Sequence, residues 1–242
     1  MHILLIGYGK MGKTIEQIAQ SRNHQIVARI DQDNPQEWDT LNHKTVDVAI
    51  EFSQPDAAVP NIRQCLDRSI PIISGTTGWL NHKEEIEAYC RDKGGTFFYA
   101  SNFSIGVNLF FRLNNYLAKL ISPYPQYQPS VEETHHTEKK DAPSGTAITI
   151  AEGMLEQLPA KGWYLLEEGQ SEDASQLPIR AKREANVPGT HVVQYQSAMD
   201  TIEIKHTAHT REAFALGAVM VAEWVVSEQQ RGVLTMNDFL KL

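Results

Sequence analysis

The first thirty residues contain the pattern that most tightly restricts the fold of this chain. A short apolar run, residues 2–6, leads into Gly7-Tyr8-Gly9-Lys10-Met11-Gly12, which fits the spacing Gly-x-Gly-x-x-Gly. Apolar residues at helical spacing follow, and then a second β-like run at residues 25–30 that ends before Asp31. Strand, glycine turn, helix, strand and acid in this order are the context of a dinucleotide-binding fingerprint. The pattern predicts a parallel α/β sheet that binds a nucleotide through this loop and Asp31.

The rest of the first hundred residues continues the alternation of β-like and helical runs. Two further β-like runs precede the loops Gly75-Thr76-Thr77-Gly78 and Ala100-Ser101-Asn102-Phe103. Loops at the carboxyl ends of parallel strands line the ligand crevice of such a sheet. We therefore expect both loops beside the glycine loop, where small residues would let a nicotinamide lie against the backbone. Ordinary βα connections are the alternative interpretation.

The pattern changes near Ser104. A long helical run at residues 105–121 is followed from Gln128 by several β-like segments with short turns, which is typical of an α+β domain. The apolar face of this helical run is predicted to consist of Leu109, Phe110, Leu113, Leu117 and Leu120. Residues 160–176 are polar and weakly patterned, which predicts a surface excursion.

These patterns together predict three segments. Residues 1–104 form an α/β Rossmann-like nucleotide domain. Residues 105–210 form an α+β second domain with a mostly antiparallel or mixed sheet. Residues 211–242 contain a C-terminal helix that returns to the nucleotide domain.

Composition and charge indicate the cellular compartment and the classes of binding partner. A hydrophobic content of 41% and a charged content of 21% are ordinary for a globular protein of 242 residues. A net charge of -8 argues against a general nucleic-acid surface. The N-terminus lacks the basic segment of a signal peptide, and no apolar run is long enough to span a membrane. The composition predicts a cytoplasmic protein without nucleic-acid or membrane partners.

A second pattern, at residues 133–147, indicates catalysis. The sequence Glu-Thr-His-His-Thr-Glu-Lys-Lys-Asp-Ala-Pro-Ser-Gly-Thr-Ala places His135 and His136 just before Lys139 and Lys140. A helical run then opens with Ser-Gly-Thr-Ala, and the N–H groups of a helix start bind anions. Since histidine titrates in the range useful for proton transfer, the block suits a small dicarboxylate substrate that must be protonated. Spacing does not decide which histidine transfers the proton, and a solvated loop is the alternative. Lys140 is predicted to be a solvated neighbour. Arg183 and Arg211 are possible secondary anion contacts, but surface or helix-start roles are favoured for both.

Other functions fit the sequence less well. A short-chain dehydrogenase would use a Tyr-x-x-x-Lys pair, but Tyr89 and Lys93 lie too early in the chain. A semialdehyde dehydrogenase needs a cysteine at a loop or helix start, whereas Cys65 and Cys90 fall within helical runs. An NAD(H)-sensing regulator has no need for the histidine–lysine block. A metal-binding module would use His135, His136, His206 and His209. The last two would face opposite sides of a strand, so we predict no metal.

Four motifs resemble one known family. Gly-Lys-Met-Gly, Gly-Thr-Thr-Gly, Asn-Phe-Ser-Ile-Gly-Val-Asn and the block from His-His to Ser-Gly-Thr-Ala are similar to those of the 4-hydroxy-tetrahydrodipicolinate reductase (dihydrodipicolinate reductase) family. The resemblance extends from the first strand to the last helix. It implies NAD(P)H-dependent reduction of a cyclic dicarboxylate imine precursor to tetrahydrodipicolinate in lysine biosynthesis. It also implies that residues 105–210 bind the substrate and form the oligomer, a homotetramer built through the sheets of the second domain.

The resemblance further implies roles for single residues. His135 would be the proton donor or acceptor, and Lys139 the catalytic lysine. The residues that would contact the substrate carboxylates are His136, Gly145 and Thr146. The positions that would contact the cofactor are Gly7, Lys10, Met11, Asp31, Gly75, Thr76, Thr77, Ala100 and Phe103. Lys10 and Gln32 stand where longer members commonly carry arginines that resemble 2′-phosphate contacts. We therefore predict that the protein uses NADH or NADPH, with NADH at least as good.

Overall fold

The structure, a computed structural model, describes residues 1–167, 169–171, 173–210 and 212–241. The chain divides into two compact units. The first comprises Met1–Ile105 and Glu212–Leu242, and the second comprises Gly106–Arg211. Arg211, a possible anion contact by sequence, lies outside the described residues. No helix among the described residues is both long and apolar enough to cross a membrane.

The first unit is a parallel sheet with helices on both faces. Its strands are β1 (His2–Ile6), β2 (Gln25–Ile30), β3 (Val48–Glu51), β4 (Ile72–Ser74), β5 (Thr96–Tyr99) and β11 (Gly232–Leu234). Its helices are α1 (Lys10–Ser21), α2 (Pro55–Asp67), α3 (Lys83–Asp92), α6 (Glu212–Ser227) and α7 (Met236–Leu240). All strand pairs are parallel, in the order β11-β5-β4-β3-β1-β2. The direction of strand addition reverses between β1 and β3, and such a reversal is where ligands bind in open α/β sheets.

Alternating side chains of β1 explain why this sheet needs two layers of helices. Ile3 and Leu5 pack on the side of α1 and α6, whereas Leu4 and Ile6 pack on the side of α2 and α3. All four side chains are at most 1% exposed. An apolar strand that is buried on both faces is typical of a parallel sheet covered on both sides.

The second unit contains a mixed five-stranded sheet. Its elements are α4 (Ile105–Ile121), β6 (Gln128–His135), α5 (Gly145–Leu155), β7 (Trp163–Leu165), β8 (Leu177–Arg183), β9 (Gly189–Gln196) and β10 (Thr201–Ala208). The strand order is β10-β9-β6-β8-β7. Strand β9 is antiparallel to both neighbours, whereas β8 is parallel to β6 and β7. Helices α4 and α5 pack on this sheet through one apolar cluster. The predicted fold class, a Rossmann-like domain plus a mixed-sheet domain, is confirmed.

Two short strands were not predicted from the sequence. Strand β7 lies within residues 160–176, the predicted surface excursion, so that prediction is wrong for this part of the segment. Strand β11 follows the last long helix and pairs with β5. Each strand has only three residues, which is too short for a period of two to stand out in a sequence.

The buried face of α4 also differs from the predicted one. Leu109, Leu113 and Leu120 are about half exposed, at 48% to 51%. Phe110 is buried as predicted, and Leu117 packs against the core cluster. The other buried residues are Val107, Asn114, Ala118 and Ile121. The helix is apolar around much of its circumference, so leucine positions alone do not identify its core face. Asn114 is anchored inside because its side-chain amide donates to the Ile150 carbonyl oxygen at 3.0 Å.

Candidate active site

The glycine loop joins β1 to α1 in a conformation that side chains would block. Gly7 has a φ of +87°, and a Cβ there would lie 2.1 Å from the carbonyl oxygen of Phe52. A Cβ at Gly12 would lie 2.3 Å from the carbonyl oxygen of Gly7. A Cβ at Gly9 would meet nothing within 4 Å, and this residue offers no side-chain cap to α1. The loop therefore leaves open space in front of a helix N-terminus, where an anion binds readily.

Asp31 follows β2 and is hydrogen-bonded to the glycine loop. Its Oδ2 accepts from the Tyr8 amide at 3.3 Å, and its Oδ1 accepts from the Gln32 amide at 2.8 Å. A carboxylate has further lone pairs for a ribose hydroxyl. Asp31, Gln32, Trp38 and the glycine loop line part of a cavity of about 370 Å³. That volume falls within the usual range of small-molecule sites.

Arg29, which precedes Asp31 on β2, is held by a carboxylate on α1. Its Nε donates to Glu16 Oε2 at 3.0 Å, and its Nη2 donates to the other oxygen. The Tyr8 hydroxyl donates to the same carboxylate, and the guanidinium lies 5.4 Å from the centroid of the Tyr8 ring. The hydrogen bond from Arg29 is the largest of the effects that lower the pKa of Glu16. This arginine is thus engaged within the fold and braces the glycine loop.

The loops after β3, β4 and β5 pack around Phe52. A Cβ at Gly75 would lie 2.2 Å from the Phe52 ring, so these two residues are in close contact. The ring of Phe103 lies 5.5 Å from that of Phe52 and is only 1% exposed. Thr76 and Ala100 are also buried, whereas Thr77 is exposed. Phe103 therefore offers almost no surface to a cofactor above this edge of the sheet, and it supports these loops by packing on Phe52.

In the second unit, β6 carries two ionisable side chains on one face. Glu133 and His135 are two residues apart, and Glu133 Oε2 lies 3.4 Å from His135 Nδ1. Strand β9 pairs Glu133 with His191, whose Nε2 lies 3.7 Å from the same oxygen. The two imidazole rings are 5.1 Å apart and both are buried. The strand pairing therefore places a buried carboxylate between two histidines.

Glu133 also fixes the start of α5. The Ser144 amide donates to both of its carboxylate oxygens, at 3.0 and 3.1 Å. The Ser144 hydroxyl accepts from the Ala147 amide at 3.2 Å, as the N-cap of α5, and lies 3.3 Å from His191 Nε2. The Arg183 Nη2 lies 3.5 Å from Glu133 Oε1. The buried carboxylate thus joins the end of β6 to the first turn of α5.

The surroundings of the histidines favour their neutral forms. Burial, the largest effect, lowers the pKa of His135; Glu133 opposes this shift, while Lys139 and Arg183 add to it. Burial also lowers the pKa of His191 to about 3, and the nearby His135 contributes. His191 is therefore a neutral hydrogen-bonding partner near pH 7. His135 becomes easier to protonate when an anion arrives.

The turn after β6 carries Lys139. Its Nζ donates to Asp141 Oδ1 at 2.8 Å and Oδ2 at 2.6 Å, and these hydrogen bonds lower the pKa of Asp141. Arg183 donates from Nε to the Lys139 carbonyl oxygen at 3.3 Å and from Nη2 to the Asp141 carbonyl oxygen at 2.7 Å. Arg183, a possible anion contact by sequence, therefore holds this turn in place. Lys140 is exposed, as expected of a solvated neighbour.

Glu133, His135 and His191 also have the composition of a metal site. Within the described residues, their ligand atoms all lie within 4.8 Å of one another. The carboxylate already accepts from the Ser144 amide, and the nearby guanidinium of Arg183 would repel a cation. Proton transfer therefore suits the cluster better than metal binding. The histidines considered with His135 from sequence, at positions 136, 206 and 209, do not belong to this cluster.

Sequence reasoning assigned no role to Glu133 or His191. Glu133 had a local signal, because residues i and i+2 of a strand share a face and His135 follows it at that spacing. His191 had none, since its approach to Glu133 depends on the register between β6 and β9. The predicted cofactor positions all lie in the first unit. The predicted catalytic and substrate positions all lie in the second.

Known proteins resemble both units. The family model described as dihydrodipicolinate reductase, N-terminus, matches residues 1–103, and the one described as dihydrodipicolinate reductase, C-terminus, matches residues 106–240. The 4-hydroxy-tetrahydrodipicolinate reductase of Christiangramia forsetii is 49% identical over 241 residues, which cover 99% of this chain and 98% of that protein. That of Methanoregula boonei is 32% identical over 246 residues, which cover 97% and 95%. A solved dipicolinate-bound dihydrodipicolinate reductase from Paenisporosarcina sp. TG-14 superposes with a TM-score of 0.76 at 20% identity, covering 97% of each chain.

Proposed function

The chain belongs to the dihydrodipicolinate reductase family, and from that membership we propose how its residues divide the work of the reaction. It is an oxidoreductase that reduces 4-hydroxy-tetrahydrodipicolinate to tetrahydrodipicolinate in the diaminopimelate and lysine pathway. One observation supports this division of roles: the nucleotide-type glycine loop lies on the first unit, whereas the buried His–Glu pair lies on the second. The direct test is the loss of reduced-nicotinamide absorbance when the precursor is supplied to the purified protein.

The bound cofactor supplies a hydride, and the protein must supply the matching proton. We assign that proton to His135, because burial makes its imidazole a reluctant base and therefore a ready donor once protonated. Glu133, whose Oε2 lies 3.4 Å from Nδ1, stabilises the imidazolium through its charge. Lys139 neutralises a carboxylate of the bound dicarboxylate, and for this it must exchange its contact with Asp141 for the substrate.

The other carboxylate is assigned to the start of α5. Ser144 caps only the Ala147 amide through its side chain, so the amides of Gly145 and Thr146 face the anion together with the helix dipole. His136, next to His135, is assigned to the same substrate. Such contacts are made before and during the reaction, so they govern binding more than the chemical step.

We also assign the Thr146 hydroxyl to this carboxylate, so replacing Thr146 with valine should weaken substrate binding without slowing chemistry. A lost hydrogen bond to a charged group costs roughly 1.5 to 3 kcal/mol, and it is seen in KM when ground and transition states are held equally. Steady-state kinetics measure both constants. Thr149→Val is the matched control, because its hydroxyl donates to the Gly145 carbonyl oxygen one turn further along α5. A fall in kcat with an unchanged KM would contradict the assignment of Thr146.

We propose that the cofactor is NADH or NADPH, with NADH at least as good. Asp31 repels a 2′-phosphate, Gln32 supplies no guanidinium, and Arg29 is held by Glu16. Lys10 would attract a 2′-phosphate only as a point charge, so it offsets the repulsion from Asp31 in part. The expected ratio of kcat/KM for NADH over NADPH is therefore one or more.

The substitution Gln32→Arg should lower the ratio of kcat/KM for NADH over kcat/KM for NADPH. A charge-assisted hydrogen bond to the phosphate is worth about tenfold or more, while kcat/KM for NADH should stay within about twofold. A strong NADPH preference in the unaltered protein would contradict this prediction.

Family resemblance also supports our proposal of a homotetramer built through the sheet of the second unit, in which β10 is one edge strand and β7 the other.

A further inference from the structure

Glu51, the last residue of β3, is a fully buried carboxylate at the ligand edge of the first sheet. It has no solvent exposure. Its oxygens accept hydrogen bonds from the Ser53 amide at 3.0 Å, the Ser74 hydroxyl at 2.6 Å and the Thr76 hydroxyl at 2.7 Å. No basic side chain of the described residues pairs with it in an ion pair. Burying a carboxylate is costly, and here hydroxyl and amide donors offset that cost.

These hydrogen bonds join two loops that follow neighbouring strands. Ser53 lies after β3, whereas Ser74 ends β4 and Thr76 follows it. The same loops are also joined directly, because the Ser53 amide donates to the Thr76 hydroxyl at 2.8 Å and the Gly75 amide to the Glu51 carbonyl oxygen at 2.9 Å. Glu51 is therefore the common acceptor that sets the spacing of the two loops.

Position in the sheet indicates which half of a dinucleotide meets these loops. The glycine loop and Asp31 follow β1 and β2 and serve the pyrophosphate and adenosine ribose. The loops held by Glu51 follow β3 and β4, on the other side of the point where the strand order reverses. A dinucleotide that spans this point places its nicotinamide half over them.

We propose that Glu51 is a positioning residue for the nicotinamide half of the cofactor. It sets the conformation of the loops at Ser53 and at residues 75–77 without touching the ligand itself. The inference rests on the cofactor use proposed above. It adds a residue that neither the glycine fingerprint nor the family resemblance singles out.

The test compares two ligands that differ by the nicotinamide half. NADH and ADP-ribose affinities are measured by calorimetry on Glu51→Gln, in which an amide replaces one acceptor oxygen and leaves hydroxyl or amide donors unpaired. We expect the NADH Kd to rise about tenfold, while the ADP-ribose Kd changes less than about twofold. Ser74→Ala removes one donor from a residue with no solvent exposure, and it should move the same ratio in the same direction by a smaller factor. This second variant keeps the test available if Glu51→Gln does not fold.

Glu16→Gln is the matched control, because Glu16 is the buried carboxylate on the adenosine side of the same unit. This variant should raise the Kd values for NADH and for ADP-ribose by equal factors. The proposal would be overturned if Glu51→Gln weakened the binding of both ligands equally or changed the binding of neither. It would also be overturned if the increase in NADH Kd relative to that in ADP-ribose Kd were the same in Glu16→Gln as in Glu51→Gln. These outcomes leave the reductase assignment intact if the unaltered protein consumes NADH with the precursor. Failure of the unaltered protein to bind either ligand would instead overturn the proposed cofactor use and this inference with it.

Discussion

Replacing His135 with glutamine lowers kcat by about 10²- to 10⁴-fold and leaves the affinity for NADH nearly unchanged. The range is the usual contribution of general acid–base catalysis by a positioned side chain. Glutamine keeps a polar side chain beside Glu133 but cannot deliver a proton near neutral pH. NADH affinity stays because the glycine loop belongs to the other compact unit of the chain. Steady-state kinetics and a separate NADH titration measure the two quantities.

Lys139→Met should also lower kcat, because methionine keeps the length of the side chain but removes the charge that lowers the pKa of His135 and favours donation of its proton. Loss of the contact between Lys139 and the substrate carboxylate should raise KM as well. Lys140→Met is the control, since this neighbouring lysine is exposed and has no assigned role. Near-normal kcat in both His135→Gln and Lys139→Met would show that the block is a structural loop.

The role of His135 as proton donor also predicts how the rate changes with pH. Only the protonated imidazole of His135 donates, and burial with the nearby cations lowers its pKa in the free protein. The free-protein profile, kcat/KM, should therefore fall as pH rises through this lowered pKa. A bound dicarboxylate favours the imidazolium, so the fall in kcat should lie at higher pH. His135→Gln should lose this limb in both profiles.

The second large effect is expected in the first unit. Gly12→Val should raise the Kd for NADH at least about 100-fold, because a Cβ at this position would lie 2.3 Å from the Gly7 carbonyl oxygen. Overpacking at such a contact costs up to about 3 kcal/mol, and the loop that would receive the pyrophosphate must move to relieve it. Calorimetric titration with NADH measures the change, and circular dichroism shows whether the variant is folded.

Gly9→Ala distinguishes an effect on cofactor contact from an effect on protein folding. A methyl group at this position meets nothing within 4 Å in the protein, so weaker NADH binding would report contact with the cofactor itself. Gly162→Ala, in the second unit, has similar open space and should change neither stability nor binding. Unchanged NADH affinity in a folded Gly12→Val variant would refute binding by the glycine loop.

Sequence reasoning worked where a signal was local. The glycine turn and the apolar run of β1 are adjacent in the chain, and together they predicted the parallel sheet that is confirmed. Strand β11 has three residues and pairs with β5, more than a hundred residues earlier, so no local period marks it. The contact of Glu133 with His191 likewise depends on strand register. The roles of His135, Lys139 and the cofactor loops stay predictions.

The return of the chain to the first sheet has a consequence for how the protein is made. Helix α6 packs on the face of the sheet that includes Ile3 and Ile50, and β11 completes its edge. A ribosome that adds about 5–20 residues per second needs on the order of ten seconds to pass from β5 to the end of α6. During that interval the part of this face that α6 covers, beside α1, is exposed apolar surface, which is the kind of surface that chaperones bind. A nascent chain that stops within the second unit leaves the nucleotide unit unfinished as well.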